Sequence, residues 1–157
     1  MGEPELARTV ADLMSRGTIT IDADATLAEA RERMAEHAVH HLLVTDRERI
    51  VAVLSDRDLL RQTSPYVGTP SESERDAATL RRRIFRAASY DLVTVDADEP
   101  IEDAAALLLN RAVSCLPVRD GDGEIVGIVT SRDLLRGMLS CVLPRSAQHA
   151  EGKREAA

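Results

Sequence analysis

Lysine is almost missing from this sequence. Of its 20 cationic residues only Lys153 is a lysine, and 27 acidic residues leave a net charge of −7. Non-specific nucleic-acid binding needs a positive surface, so nucleic acid is not expected as a partner. The one basic cluster, Arg81-Arg82-Arg83 with Arg86, follows the acidic run Glu72–Asp76 and reads as a charged helix face. Cysteine is scarce: Cys115 and Cys141 form no CxxC pair, which excludes a disulfide framework and fits a reducing compartment, the cytoplasm. No apolar run approaches the roughly 18 residues of a membrane span. Met1 opens an acidic, polar start without a secretory leader, so no membrane association is expected. Neither cysteine has a visible base beside it, and no acid, base and nucleophile converge, so the chain does not read as an enzyme. His37, His40 and His41 are too unfavourably spaced for a shared metal. Asp120-Gly121-Asp122-Gly123 lacks the terminal glutamate of a calcium loop.

What the chain does have is a stretch written twice. Residues 50–61 read IVAVLSDRDLLR and residues 125–136 read IVGIVTSRDLLR, identical at seven of twelve positions. The copies begin 75 positions apart, a period longer than a solenoid repeat. Each begins as a short apolar strand, turns polar at Ser55-Asp56-Arg57-Asp58 or Thr130-Ser131-Arg132-Asp133, and enters a Leu-Leu-Arg helix start. A hydroxyl and an aspartate three residues apart at a strand-to-helix junction make a capping box, and the same groups are apt for a sugar or a phosphate.

The chain's 157 residues can bury roughly 68% of their extended surface, enough for one compact core, and 44% apolar with 30% charged residues is ordinary for a globular chain. After a loose arm at 1–8, a helical turn is expected over Val10–Met14 and a strand over Ile19–Ile21. Thr26 with Glu29 then starts a helix burying Leu27, Ala30 and Met34. Val39–Val44 and Ile50–Leu54 form a hairpin, and Asp58–Arg61 opens a closing helix. The order recurs: a strand at Leu92–Val95, a helix from Pro100 burying Ile101, Ala104, Ala105 and Leu108, then a hairpin of Val113–Val118 with Ile125–Val129. Between the halves a helix is expected from Ser71 or Ser73 through Leu80 and Ile84. The fold class is therefore α/β (α+β), two repeats of strand, helix, strand, strand, helix packed about a pseudo-twofold axis. The divisions are a first repeat at 8–61, a linker at 62–86, a second repeat at 87–139 and a disordered tail at 144–157.

The doubled corners, the strand Ser114-Cys115-Leu116-Pro117-Val118 and the Thr-Ile start, in this order and spacing, resemble the cystathionine-beta-synthase (CBS) domain in its tandem arrangement, the Bateman module. The resemblance covers roughly residues 8–139. It implies a regulatory module that binds an adenosine-containing ligand (AMP, ADP, ATP, NAD or S-adenosylmethionine) in two clefts between the repeats, and no catalytic cofactor. By the same resemblance Asp58 takes ribose hydroxyls, Ser55 sits near ribose or phosphate, and Arg57 offers a forked donor to phosphate. Val93, Val113 and Ser114 surround the base. The second cleft mirrors this with Thr130, Arg132 and Asp133 against Ile19, Val39 and His40, the histidine alternatively leaning toward phosphate. Two positions depart from the pattern: Ala52 stands where glycine is preferred and Gly127 does stand, and Leu43 replaces the proline found at Pro117. Extra volume at Ala52 is expected to tighten the first cleft, leaving the Thr130/Asp133 corner the better preserved.

Apolar residues persist in the closing helices at Leu59, Leu60, Leu134, Leu135, Met138 and Leu139. With the resemblance they imply a homodimer and a regulated protein partner. Two rivals stay open: an interaction module whose clefts bind nothing, and a fragment or accessory subunit of an enzyme.

Overall fold

The computed structural model describes residues 9–142. The expected arm at 1–8 and tail at 144–157 lie outside the described residues. The chain divides into two compact units: Gly17–Leu92, and a second that joins the segment ending at Arg16 to the segment beginning at Val93.

The Gly17–Leu92 unit contains β2 (Thr20–Asp22), α2 (Leu27–Glu36), β3 (His41–Asp46), β4 (Arg49–Ser55) and α3 (Asp56–Gln62). β2 runs parallel to β3, and β3 pairs antiparallel with β4. Helix α2 begins where the sequence places it: Thr26 N–H donates to Glu29 Oε2 at 2.7 Å and Glu29 N–H donates back to Thr26 Oγ1 at 3.3 Å. The box satisfies two of the donors that a helix start leaves unpaired. Leu27, Ala30 and Met34 line the core with Leu42, Val44, Ala52, Leu54, Leu59 and Ile84. The hairpin turns at Arg47 and Glu48, both at positive φ (47° and 66°), the twist that suits a two-residue loop.

Two expectations shift. Strand β3 starts at His41 rather than Val39, because Ala38 leaves the helix at φ 51° and Val39 N–H donates to Met34 O at 3.0 Å. This closing bond holds Val39 and His40 outside the ladder. The connecting helix α4 spans only Glu74–Thr79, capped by Ser73, instead of running through Ile84. Leu80 O, the acceptor that Ile84 N–H would need, instead takes Ala28 N–H at 3.0 Å, and Arg82 O takes Leu27 N–H at 2.9 Å. The chain thus leaves one helix to satisfy the start of another.

The second unit contains α1 (Val10–Leu13), β1 (Ser15–Arg16), β5 (Val95–Asp96), α5 (Ile101–Arg111), β6 (Cys115–Arg119), β7 (Ile125–Thr130) and α6 (Ser131–Val142). Its sheet runs β1-β7-β6-β5, with β5 parallel to β6 and the other pairs antiparallel. The expected strand over Leu92–Val95 is reduced to Val95–Asp96. Ile101, Ala104 and Leu108 bury against Leu116, Val118, Val129 and Leu134, with Ala105 partly buried beside them. Val10 joins this core, fully buried. Among the described residues no helix is long and apolar enough to cross a membrane.

Candidate functional site

In each unit the second strand of the hairpin ends at a hydroxyl residue that caps the next helix. At the first corner Ser55 N–H donates to Asp58 Oδ2 at 3.1 Å and Ser55 Oγ donates to the same oxygen at 2.5 Å. Asp58 N–H donates to Ser55 Oγ at 3.2 Å. At the second, Thr130 N–H and Oγ1 donate to Asp133 Oδ2 at 2.9 and 2.6 Å, and Asp133 N–H returns a bond to Thr130 Oγ1 at 3.3 Å. The two corners share this box because a hydroxyl residue and an aspartate recur three positions apart in both copies.

These boxes occupy only Oδ2. The other oxygen, Oδ1, faces an arginine one helical turn on: Arg61 Nη1 lies 3.6 Å from Asp58 and Arg136 Nη1 lies 3.8 Å from Asp133. Both separations exceed a normal hydrogen bond, so Oδ1 keeps acceptor capacity. The side chains of Asp58 and Asp133 retain 27% and 17% of their accessible surface. The same box recurs at Ser73, whose Oγ donates to Asp76 Oδ2 at 2.6 Å. There Asp76 Oδ1 is consumed by Ser64 Oγ at 2.5 Å, and these hydrogen bonds hold the Asp76 carboxyl below its ordinary range. Capping alone therefore does not distinguish the two corners. Their Oδ1 atoms do.

The sequence-expected residues fall into two sets. Ser55, Arg57 and Asp58 belong to the Gly17–Leu92 unit together with Ile19, Val39 and His40. Ile19 and Val39 pack against that unit's core, while His40 and Arg57 are exposed. Thr130, Arg132 and Asp133 belong to the other unit with Val93, Val113 and Ser114. Val93 and Val113 pack on its core, and Arg132 and Ser114 are exposed. The roles of Arg61 and Arg136 escaped sequence reasoning, although the doubled Asp-Leu-Leu-Arg places both one turn after the aspartate.

The corners differ most in a charged pair beside the first box. His40 Nδ1 lies 2.8 Å from Asp56 Oδ2, an exposed imidazole on a half-exposed carboxylate. The equivalent residues of the second corner are Ser114 and Ser131, joined through the backbone by Ser131 N–H to Ser114 O at 3.0 Å, as Asp56 N–H joins His40 O at 2.9 Å. A groove of about 930 Å³ bounded by Met34, Val39, His40, Asp56, Leu59 and Val67 lies in the first unit; Ser55 and Asp58 do not line it.

Ala52, expected to tighten a cleft, is fully buried in the core. It also stands at a difference between the two sheet edges. A Cβ at Gly127, the matching residue, would meet Ser15 O at 2.7 Å. With glycine there, β1 forms two rungs on β7, Ser15 to Ile128 and Arg16 to Gly127. In the other unit the methyl of Ala52 is present, and the ladder is a single bridge between Val53 and Ser89.

A family model for the CBS domain matches the chain twice, over residues 10–64 and 83–140. The chain belongs to the CBS domain family and carries two copies of the domain. It is 31% identical over 137 residues to a CBS domain-containing protein of Dictyostelium discoideum, a match covering 86% of this chain and 94% of that one. Among solved structures it is similar to CBSX2 in complex with AMP, with a TM-score of 0.66, 28% identity, and coverage of 86% and 98% of the two chains. It is also similar to the CBS domain pair of protein MJ0100 in complex with 5′-methylthioadenosine and S-adenosyl-L-methionine, with a TM-score of 0.66, 25% identity, and coverage of 82% and 97%.

Proposed function

We propose that this chain is a cytoplasmic regulatory module that senses an adenosine-containing ligand (AMP, ADP, ATP, NAD or S-adenosylmethionine) through the Asp58 and Asp133 corners. The observation that carries this reading is the pair of part-buried carboxylates whose Oδ1 atoms stand outside the capping boxes, at the same step of both repeats. The ligands of CBSX2 and MJ0100 share an adenosine group, which supports it further. In this reading Oδ1 accepts a ribose hydroxyl, Ser55 and Thr130 lie beside it, and Arg57 and Arg132 hold a phosphate where the ligand has one. The residues bind and report; none attacks a bond.

Regulation follows from differential affinity: a ligand that binds one arrangement of the protein better shifts the population toward it, and a regulated partner reads the shift. A second copy of the chain is the first partner. Leu60, Leu135 and Leu139 are 70%, 61% and 54% exposed on the closing helices, and Leu109 is 82% exposed on α5. Leu59 and Leu134, counted with them from sequence, are core residues instead. Light scattering should return a dimer mass at micromolar concentration, and a monomer mass would remove the dimer from the reading.

The rival, an interaction module that binds no nucleotide, draws support from Oδ2, which already has its donors. Calorimetry of the wild-type chain against AMP, ADP, ATP, NAD and S-adenosylmethionine separates the two. Saturable binding of one or more at micromolar levels supports sensing, and no heat with any of the five overturns it.

A further inference from the structure

The two corners match in hydroxyl, aspartate and arginine but not in charge. Ser55, Arg57, Asp58 and Arg61 correspond to Thr130, Arg132, Asp133 and Arg136, while Asp56 corresponds to Ser131. The first corner therefore carries one carboxylate more than the second. That carboxylate is not remote: burial pushes the His41 imidazole below its ordinary value, and Asp56 and Asp58 both pull it back up, so both act on one ring. His40, against Asp56 at 2.8 Å, holds the extra charge in place. In the second copy His40 and His41 are replaced by Ser114 and Cys115, which bring no charge of either sign.

We propose, resting on the adenosine-sensing reading above, that Asp56 makes the two corners select different ligands by charge. The first corner disfavours phosphate-bearing ligands and takes adenosyl compounds that are neutral or cationic at the 5′ side. The second takes the 5′-phosphorylated nucleotides. A fixed negative charge within a Debye length of a phosphate, about 10 Å at 0.1 M salt, weakens its binding by about threefold to tenfold at low salt, an effect that fades as salt rises. An uncharged 5′-hydroxyl feels almost none of this, so the ratio of adenosine to AMP affinity isolates the charge.

The test swaps the differing residue in both directions. Calorimetry at pH 8, where a histidine is ordinarily neutral, uses adenosine and AMP as probes. D133A leaves the first corner and D58A leaves the second. The expected adenosine-to-AMP affinity ratio is about three to ten times higher in D133A than in D58A at 20 mM salt. Adding Asp56→Ser to D133A should lower the ratio to the second corner's value, and adding Ser131→Asp to D58A should raise it. Asp56 and Ser131 lie at the surface, so neither swap burdens the core. Where only one corner binds, the swap at that corner decides alone. Equal ratios at both corners, or swaps that leave them unmoved, overturn charge selection while leaving nucleoside sensing intact. A wild-type chain that binds none of adenosine, AMP, ADP, ATP, NAD and S-adenosylmethionine overturns both.

Discussion

Val10 and Ile84 are the same residue of the repeat, 74 positions apart, and each is fully buried in the core of the other copy's sheet and helices. Their backbones match as well. Val10 N–H donates to Glu99 O and Ile84 N–H to Ala25 O, both at 2.9 Å. Thr9 bridges to Pro100 as Arg83 bridges to Thr26. Each repeat thus sends the segment ahead of its first strand into the unit formed by the other, and neither unit is a continuous copy of the repeat.

The exchange predicts where the chain can be cut. A fragment spanning Gly17–Leu92 keeps Ile84 with its core and should unfold cooperatively in urea. A fragment of residues 8–61 lacks Ile84 and should not. In the whole chain Ile84→Ala should cost about 2–5 kcal/mol, since a fully buried isoleucine leaves both lost contacts and a cavity. A cooperative 8–61 fragment as stable as 17–92 would show that the exchanged segment is ornamental.

Gly127→Ala should destabilise more than Gly137→Ala, although both glycines lie close to neighbours. At Gly127 the new methyl meets the backbone oxygen of Ser15 at 2.7 Å, and β1 cannot yield without losing its rungs. At Gly137 it meets the Leu13 side chain, which can turn away. Overpacking against backbone costs about 1–3 kcal/mol, whereas alanine in a helix recovers up to about 1 kcal/mol. Equal midpoints in denaturant titrations of the two variants would refute the edge-packing account.

Much of this architecture was legible because its signals are local. Thr26 and Glu29 sit three apart, as a reciprocal cap requires, and Leu27, Ala30 and Met34 fall on one helical face. The corners were legible because they are written twice. What escaped depends on contacts distant in sequence. The apolar pattern of Val10–Met14 marks a helical turn but not the core that receives it. The connecting helix ends early because Leu80 gives its carbonyl to α2, a demand that no window around residue 80 contains. The ends of α2 and α5 lack the usual glycine, for Ala38 and Ala112 take the left-handed turn at φ 51° and 52°.

Those two alanines give a third prediction. A Cβ in the left-handed region costs about 1–2 kcal/mol, more than the backbone freedom a glycine loses on folding. Both methyls are exposed, so no packing is forfeited. Ala38→Gly and Ala112→Gly should each stabilise by roughly 0.5–1 kcal/mol, seen as a higher thermal midpoint. A lower midpoint in both would mean that the turn is not strained.

Acid should weaken the protein through His41. Burial lowers its pKa more than Asp56 and Asp58 raise it, and His40 and Arg57 lower it further. The unfolded chain then binds the proton first, so this contribution is whole above about pH 6.5 and is lost as pH falls through the lower folded value. The difference in stability between wild type and His41→Gln should therefore move in favour of the variant between pH 7 and pH 5. A difference that stays constant with pH would exclude His41 as the titrating group.

Ribose discrimination is the most direct test of the adenosine-sensing proposal. Asp58 and Asp133 each commit Oδ2 to a cap and leave Oδ1, 3.6 and 3.8 Å from an arginine, as the atom proposed to meet a ligand. A hydroxyl donating to that carboxylate oxygen forms a charge-assisted bond worth about 1.5–3 kcal/mol, so 2′-deoxy-AMP should bind about 10- to 100-fold more weakly than AMP. D58A and D133A should each remove one site and the double variant both. Losing the cap costs about 1 kcal/mol of stability as well, and circular dichroism separates that loss from lost binding. The neighbouring arginine supplies a control. Arg136→Ala releases Oδ1 without touching the cap, so it should keep or strengthen binding at the second corner where D133A abolishes it. A folded double aspartate variant that binds AMP as tightly as wild type would remove both carboxylates from the site.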